Sequence, residues 1–182
     1  SCVDLTSVAI PDSVVSMGTD AFFGCSSLVA LSIGNQLTNL PGAFAFCTSL
    51  SHVTIPSSVV GMSGAFDSCT SLKSVTLPEG MTIISEGAFP HTALTSVTIP
   101  DSVLVIGANA FNSTALTNIT IPDTVTSVGM NAFDGCNNLA NAVLGNGVTN
   151  VGSGIFAHCA RLICISLGNS LRSTPADPFL SR

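Results

Sequence analysis

Charged residues are scarce in this chain. Only 8% of its 182 residues are charged, against roughly 25% in an average soluble protein, and four Lys and Arg face ten Asp and Glu. A nucleic-acid-binding surface needs a basic stripe that neutralises phosphates, so the composition predicts no nucleic-acid partner. Trp and Tyr are absent, which removes the amphipathic aromatic side chains that dominate many binding sites.

Long apolar runs are also missing, although 46% of the residues are hydrophobic. Ser, Thr, Pro and Gly interrupt every run well before the roughly 20 residues that a bilayer-spanning helix needs, so we expect no membrane span in this segment. Residues 1–4 do not resemble a signal peptide, and the chain does not begin with Met. These features favour a processed product or a fragment.

The chain repeats itself with a period of 22 or 23 residues. A leucine opens each similar segment: Leu5, Leu28, Leu50, Leu72, Leu94, Leu116, Leu139 and Leu162. This is the period of leucine-rich repeats. Because one such unit cannot bury its apolar residues alone, stacking must create the core. The sequence predicts a single leucine-rich-repeat solenoid domain over residues 1–182, with about seven to eight coils.

Each unit starts with a short β-branched run that proline closes. In one unit Leu94, Val97 and Ile99 lead into Pro100, which cannot donate to a β-ladder. One short parallel strand per coil is therefore expected. Later residues such as Val103 and Ile106 supply a second inward row. A phenylalanine spine on the opposite side supplies the third row: Phe22, Phe44, Phe66, Phe89, Phe111, Phe133 and Phe156.

These units resemble the BspA-like class of leucine-rich repeats. The resemblance is carried by residues 94–103 with Ile106-Gly107 and Ala110-Phe111, by the junction at residues 24–28, and by the same positions in the other units. It covers essentially the whole chain. Proteins of this class are mostly surface or secreted proteins of microbes, implicated in adhesion and often built as long arrays. The resemblance implies an extracellular or cell-surface location and an adhesion-type role.

Two departures from the repeat concern its second, seventh and eighth units. Gly34 and Gly145 replace the proline after the strand, and the eighth unit becomes irregular before Phe179, which falls near the spine position. We expect residues 1–182 to be part of a longer array. An uncovered edge strand invites strand addition, so we also expect the isolated chain to self-associate end to end.

Six of the seven cysteines share one repeat position, three residues before a unit-opening leucine: Cys2, Cys25, Cys47, Cys69, Cys136 and Cys159. Thr92 and Thr114 take comparable places. This predicts small buried side chains that pack like apolar residues, with disulfides between coils open but not favoured. Cys164 lies outside this register and is expected to face outward. No paired C-x-x-C motif indicates a zinc site.

Side chains capable of acid, base or metal chemistry are few and far apart. His91 and His158 share a repeat position but lie three coils apart, too far to ligate one metal, and the repeated Ser positions lack a consistent His and carboxylate. Asp101 and Asp123 on adjacent coils could form a loose calcium site, although a turn after proline explains both more simply. We expect no catalysis, no metal and no cofactor.

The outward residues of the strands form the candidate binding surface, which we call the strand face. One row consists of Ser32, Thr54, Thr76, Thr98, Thr120 and Ser166, and a parallel row of Ser7, Ser74, Ser96, Asn118 and Asn141. Thr also suits an exposed strand for structural reasons alone. As a binding surface, this uncharged face suits a protein, a glycan or another copy of the array. Asn112 and Asn118 begin N-glycosylation sequons, meaningful in a eukaryotic secreted protein.

The leading hypothesis is a non-enzymatic surface or secreted repeat protein that mediates adhesion, protein–protein binding or extracellular assembly. One alternative is a recognition domain attached to an enzyme that lies outside this segment. A regular threonine lattice also resembles ice-binding solenoids, which gives a second alternative.

Overall fold

The computed structural model describes residues 2–172, which stack as about seven coils of a solenoid. All strand pairs are parallel. The strands are, in chain order, β1 (Ser7–Ala9), β2 (Ala30–Ser32), β3 (His52–Thr54), β4 (Ser74–Thr76), β5 (Ile83–Ile84), β6 (Val105–Ile106), β7 (Asn118–Ile121), β8 (Ser127–Val128), β9 (Asn141–Leu144), β10 (Asn150–Val151) and β11 (Cys164–Ser166). The predicted solenoid of parallel strands is confirmed.

The strands form ladders along two sides of the solenoid. On the strand face, β1 pairs with β2, β3 with β4, and β7 with β9, which in turn pairs with β11. The second side carries β5, β6, β8 and β10 in one sheet. Only one strand per coil was expected from the sequence. The extra two-residue strands form where consecutive coils bring residues such as Ile84 and Ile106 into register.

The phenylalanine spine is the centre of the core. The rings of Phe44 and Phe66 stack with centroids 5.7 Å apart and planes within 9° of parallel, and the same contact recurs from Phe22 to Phe156 at 5.5 to 5.7 Å. Each spine ring is buried except that of Phe22, which is half-buried in the first coil. In the second inward row Val103 and Ile106 have no exposed surface, and the first coil's Val14 and Met17 are half-buried. Both predicted rows are confirmed.

A steric constraint explains why glycine replaces proline at two positions. A Cβ at Gly34 would lie 2.6 Å from the carbonyl atoms of Pro11, and one at Gly145 would lie 2.5 Å from those of Pro122. Glycine therefore lets the chain pass close to the preceding coil. The next residue in each case donates its amide to an aspartate there, as Asn35 does to Oδ1 of Asp12 at 2.7 Å.

The strand expected in the unit that opens with Leu94 does not form. Residues 96–99 lie between β4 and β7 along the chain but belong to neither ladder. A shorter turn accompanies this departure, since Leu94 follows Phe89 by five residues whereas Leu72 follows Phe66 by six. The longer turn closes with a 2.9 Å hydrogen bond from the Leu72 amide to the Cys69 carbonyl, and the shorter turn makes no such bond.

The C-terminal expectations fall partly beyond the described residues. Leu171 is half-buried against the core, whereas Phe179, the expected last member of the spine, lies outside residues 2–172. Within that range there is no helix long and apolar enough to cross a bilayer.

Candidate functional site

The strand face contains every residue predicted for binding. Their side chains are all exposed: Ser32, Thr54, Thr76, Thr98, Thr120, Ser74, Ser96 and Asn118. The alternation of exposed and buried residues along each strand, as in Asn118–Ile121, produces this arrangement because successive side chains point to opposite sides. Ladder breaks divide the face into separate groups of strands. The two outward rows contain no Asp, Glu, Lys or Arg, but the strand face is not one continuous sheet.

His52 contributes a polar contact on this face that sequence reasoning did not assign. Its Nδ1 lies 2.9 Å from the Ser74 hydroxyl on the next coil, and its Nε2 lies 3.2 Å from the Thr54 hydroxyl. A serine beside a histidine is half of a nucleophilic triad, but the remaining imidazole nitrogen meets a hydroxyl here rather than a carboxylate. All three side chains are exposed. The contact orders neighbouring side chains without assembling a triad.

The two sequon asparagines differ in accessibility. Asn118 is exposed on β7, where its Oδ1 accepts a 2.9 Å hydrogen bond from Nδ2 of Asn141. Asn112 is half-buried, and its amide nitrogen donates to Asp134 at 3.3 Å. Modification of Asn112 would have to disturb that contact. Asn118 is therefore the more accessible of the two.

A groove opens on the strand face between the coils that begin at Leu94 and Leu116. It encloses about 370 Å³ and is lined by Val97, Thr98, Ile99, Asp101, Asn118, Ile119, Thr120 and Pro122. Ile99 and Ile119 are buried beneath it, while the side chains of Thr98 and Thr120 are exposed. The groove thus combines an apolar floor with hydroxyl, amide and carboxylate groups. Thr98, Thr120 and Asn118 were already predicted as binding residues, but the groove itself was not.

The cysteine ladder is a structural element. Cys25, Cys47, Cys69 and Cys136 are buried as expected, whereas Cys159 is half-buried and Cys2 is exposed. Each thiol from Cys47 onward in this register donates to the carbonyl of a spine phenylalanine, as Cys69 does to Phe44 at 3.2 Å. Burial raises the pKa of Cys69 to about 12 and that of Cys47 to about 11. These thiols are therefore protonated and poorly nucleophilic at neutral pH.

The remaining ionisable contacts are pairs between neighbouring coils. Nδ1 of His91 lies 3.1 Å from Asp67, and Nδ1 of His158 lies 2.7 Å from Asp134. Residues 2–172 contain no group of three His, Cys, Asp or Glu side chains that could hold a metal. The proposed calcium position gains no support, because Oδ1 of Asp123 accepts the Asn146 amide at 2.6 Å.

An exposed aromatic pair was missed in the sequence. Phe23 directly follows the spine residue Phe22, and Phe46 lies two residues after the spine residue Phe44. The ring centroids of Phe23 and Phe46 lie 5.1 Å apart, with an angle of 49° between the ring planes. Both remain more than 40% exposed. The sequence signal was available, because these are phenylalanines outside the spine register. They form a small apolar spot away from the strand face.

Stacked parallel coils with a leucine at each opening and a buried phenylalanine spine define a leucine-rich-repeat protein. The family model for the BspA type leucine rich repeat region matches residues 1–114 and 104–181, in six copies. The chain belongs to this BspA-type family. The resemblance inferred from the sequence is therefore confirmed.

Solved structures of bacterial repeat proteins are similar to this chain. A leucine rich repeat protein of T. pallidum shares 32% identity with a TM-score of 0.77, over 86% of this chain and 77% of that protein. A leucine rich cell surface protein of Faecalibacterium prausnitzii shares 29% identity with a TM-score of 0.53, over 92% of this chain and 62% of that protein. The pneumococcal vaccine antigen PcpA shares the fold, with 24% identity and a TM-score of 0.63. The match covers 91% of this chain and 51% of the PcpA chain. A comparison with curated proteins found no match.

Proposed function

We propose that this chain is a non-catalytic repeat domain of a cell-surface or secreted protein, and that it binds a protein or glycan surface through the strand face. The observation that carries the proposal is the strand face itself, where every predicted binding residue is exposed and uncharged. Family membership supports it, as does the similarity to a protein described as a leucine rich cell surface protein. The proposal treats residues 1–182 as one solenoid domain.

Binding to cells and purified extracellular-matrix proteins tests this proposal. Thr76→Arg places a bulky cation in the middle of the strand face, whereas Thr82→Arg places the same side chain on the second side of the same coil. Both threonines are exposed, and neither hydroxyl has a hydrogen bond to a described residue. We expect Thr76→Arg to weaken binding and Thr82→Arg to leave it unchanged. Equal behaviour of the two variants, or no binding by the unaltered chain, would contradict the proposal.

The absence of catalysis is part of the same proposal. The His52–Ser74 contact is the strongest counter-candidate, since it places a base beside a hydroxyl. A broad hydrolase screen with the purified chain should show no turnover above background. Turnover that Ser74→Ala or His52→Ala abolishes would make the protein an enzyme.

Self-association is a further proposal for the isolated polypeptide. The outer edge of β1 leaves backbone groups free to pair with a strand of another molecule. Light scattering should show that assemblies grow with protein concentration. The substitutions Ser7→Lys and Ala9→Lys should reduce this self-association. A strictly monomeric chain across the concentration range would refute this arrangement.

A further inference from the structure

A backbone hydrogen bond between coils is missing at the groove. In two coils the last inward residue of the strand donates its amide to the next coil: Ile10 to Ser32 and Ile55 to Thr76, both at 2.9 Å. The equivalent bond from Ile99 to Thr120, two residues that line the groove, is not formed among the described residues, and neither are those from Ile33 to Thr54 and from Leu77 to Thr98 elsewhere. Ile99 is only 5% exposed. A buried peptide group without a partner is costly, so a water or a ligand must satisfy it.

The local sequence beside the groove departs from the average repeat. The coils on both sides of the groove have the shortened turn, since Leu116 follows Phe111 by five residues just as Leu94 follows Phe89. The same coils remain joined at each end of the gap, where Thr117 donates to Thr95 at 3.2 Å and Thr126 donates to Leu104 at 2.8 Å. The two coils that border the groove are therefore held together on both sides of it.

Asp101 is the free member of a set of three equivalent aspartates. Asp12 and Asp123 also follow a proline at the end of the strand segment, and each accepts the amide of an asparagine on the next coil at 2.7 and 2.6 Å. The coil after Asp101 has Pro122 and Asp123 in place of Gly and Asn. No described residue donates a hydrogen bond to Asp101. Its exposed carboxylate lines the groove.

The size and chemistry of the groove restrict what it can bind. Its volume of about 370 Å³ lies near the lower end of the roughly 300–1,000 Å³ of small-molecule sites. A carboxylate without any lysine or arginine in the lining disfavours anions. An inserted peptide strand would need the coils to separate by about another 4.8 Å, and the hydrogen bonds at both ends of the gap oppose that. A compact, neutral ligand rich in hydroxyls matches the free donors and acceptors.

We propose that this groove binds one or two residues of a neutral sugar. Asp101 accepts hydrogen bonds from sugar hydroxyls, the free amide of Ile99 donates to a sugar oxygen, and the hydroxyls of Thr98 and Thr120 complete the polar contacts. The C–H surface of the sugar rests on Val97 and Pro122. The inference deepens the proposed function, on which it rests, by naming a glycan as one ligand of the strand face.

Direct titration with purified sugars tests the groove separately from cell binding. The chain is produced in a bacterium without N-glycosylation, so that Asn118 stays unmodified, and is titrated with cellobiose, maltose, lactose and N,N′-diacetylchitobiose by saturation-transfer NMR and calorimetry. We expect at least one disaccharide to bind, and Asp101→Ala and Thr98→Val each to weaken it by about tenfold or more. Asp12→Ala and Thr82→Val are the matched controls and should bind as the unaltered chain does.

Thermal unfolding checks that the variants fold, and Asp101→Asn provides a second variant with nearly unchanged shape. Failure of all four sugars to bind the folded chain would overturn the groove proposal. So would a sugar signal that Asp101→Ala, Asp101→Asn and Thr98→Val leave unchanged, or binding of a Val-Thr hexapeptide in place of the sugars. Cells and matrix proteins are assayed in parallel. Cell binding without sugar binding refutes the groove alone, whereas sugar binding without cell or matrix binding refutes the adhesion role alone.

Discussion

At the residue scale, the spine phenylalanines and the cysteines show how one position recurs along the solenoid. Each interior spine ring contacts the ring above and the ring below, so its removal leaves two stacking partners without their contact. Small side chains at the cysteine position donate to spine carbonyls in several coils. Thr92 also does so, with a 2.9 Å hydrogen bond to the Phe89 carbonyl, so threonine can take the place of cysteine there.

Removal of one spine ring should destabilise the chain strongly. Phe111 is fully buried, so Phe111→Ala leaves a cavity and should lower the free energy of unfolding by about 3–5 kcal/mol. Phe46→Ala is the control, because Phe46 is 44% exposed and its loss leaves no cavity. Denaturant unfolding followed by circular dichroism compares the two. Equal losses would show that the spine is not the main source of stability.

The buried thiols should make the chain sensitive to alkali. In the unfolded chain a cysteine titrates near its ordinary pKa of 9.0, whereas in the folded chain burial raises the pKa of Cys69 to about 12. Above pH 9 the unfolded state therefore releases protons that the folded state retains, and stability falls as the pH rises. Below pH 9 both states keep the proton and this contribution is constant.

Cys69→Ser isolates this effect, because serine keeps a hydrogen-bond donor but does not titrate in this range. The free energy of unfolding, measured from pH 8 upward, should fall less steeply in Cys69→Ser than in the unaltered chain. Cys164→Ser is the control, since Cys164 is exposed. A slope unchanged by Cys69→Ser would mean that other groups cause the alkaline loss.

At the element scale, the strands were predictable where the coil-to-coil contacts follow the average repeat. The alternating residues and the closing proline predict β3, β4 and β7 correctly. The same pattern in residues 96–99 gives no strand, although the coil that opens with Leu116 has an equally short turn and forms β7. The groove was unpredictable because it lies where a backbone hydrogen bond between coils is not made. The exposure of Thr98 and Thr120 was predictable, because it follows from the alternation of inward and outward side chains along an extended segment.

Hydrogen exchange should distinguish the open and closed parts of the strand face. The Ile55 amide donates to the Thr76 carbonyl and should exchange slowly, whereas the Ile99 amide should exchange faster despite its burial. Equal protection of both amides in the unaltered chain would contradict the open groove.

The glycine that follows β6 should tolerate no side chain. A Cβ at Gly107 would lie 2.5 Å from the backbone nitrogen of Glu86 on the preceding coil, so Gly107→Ala must push two coils apart. We expect a loss of about 1–3 kcal/mol in the free energy of unfolding. Gly18→Ala is the control, because no atom lies within 4 Å of its added Cβ. Equal stability of the two variants would show that the coils can separate at little cost.

At the scale of the whole molecule, the solenoid separates its tasks by side. The phenylalanine spine and the thiols supply contacts between coils, the second sheet ties coils together, and the outward rows of the strand face stay exposed. The few charged residues of the chain lie outside the two outward rows of the strand face. This arrangement lets the exposed Ser, Thr and Asn side chains vary without changing the residues that hold the stack together.

Binding through the strand face should depend little on salt. Raising the ionic strength from about 0.1 M to about 1 M shortens the Debye length from about 10 Å to about 3 Å and weakens interactions between exposed charges. The outward rows contain Ser, Thr and Asn but no Lys, Arg, Asp or Glu, so the dissociation constant for a cell or matrix ligand should change less than threefold, or about 0.7 kcal/mol. Thr76→Lys supplies the comparison, since a cation in the middle of the face makes any remaining binding salt-dependent. A tenfold loss of binding by the unaltered chain at high salt would show that its acidic residues, rather than the neutral strand face, hold the partner.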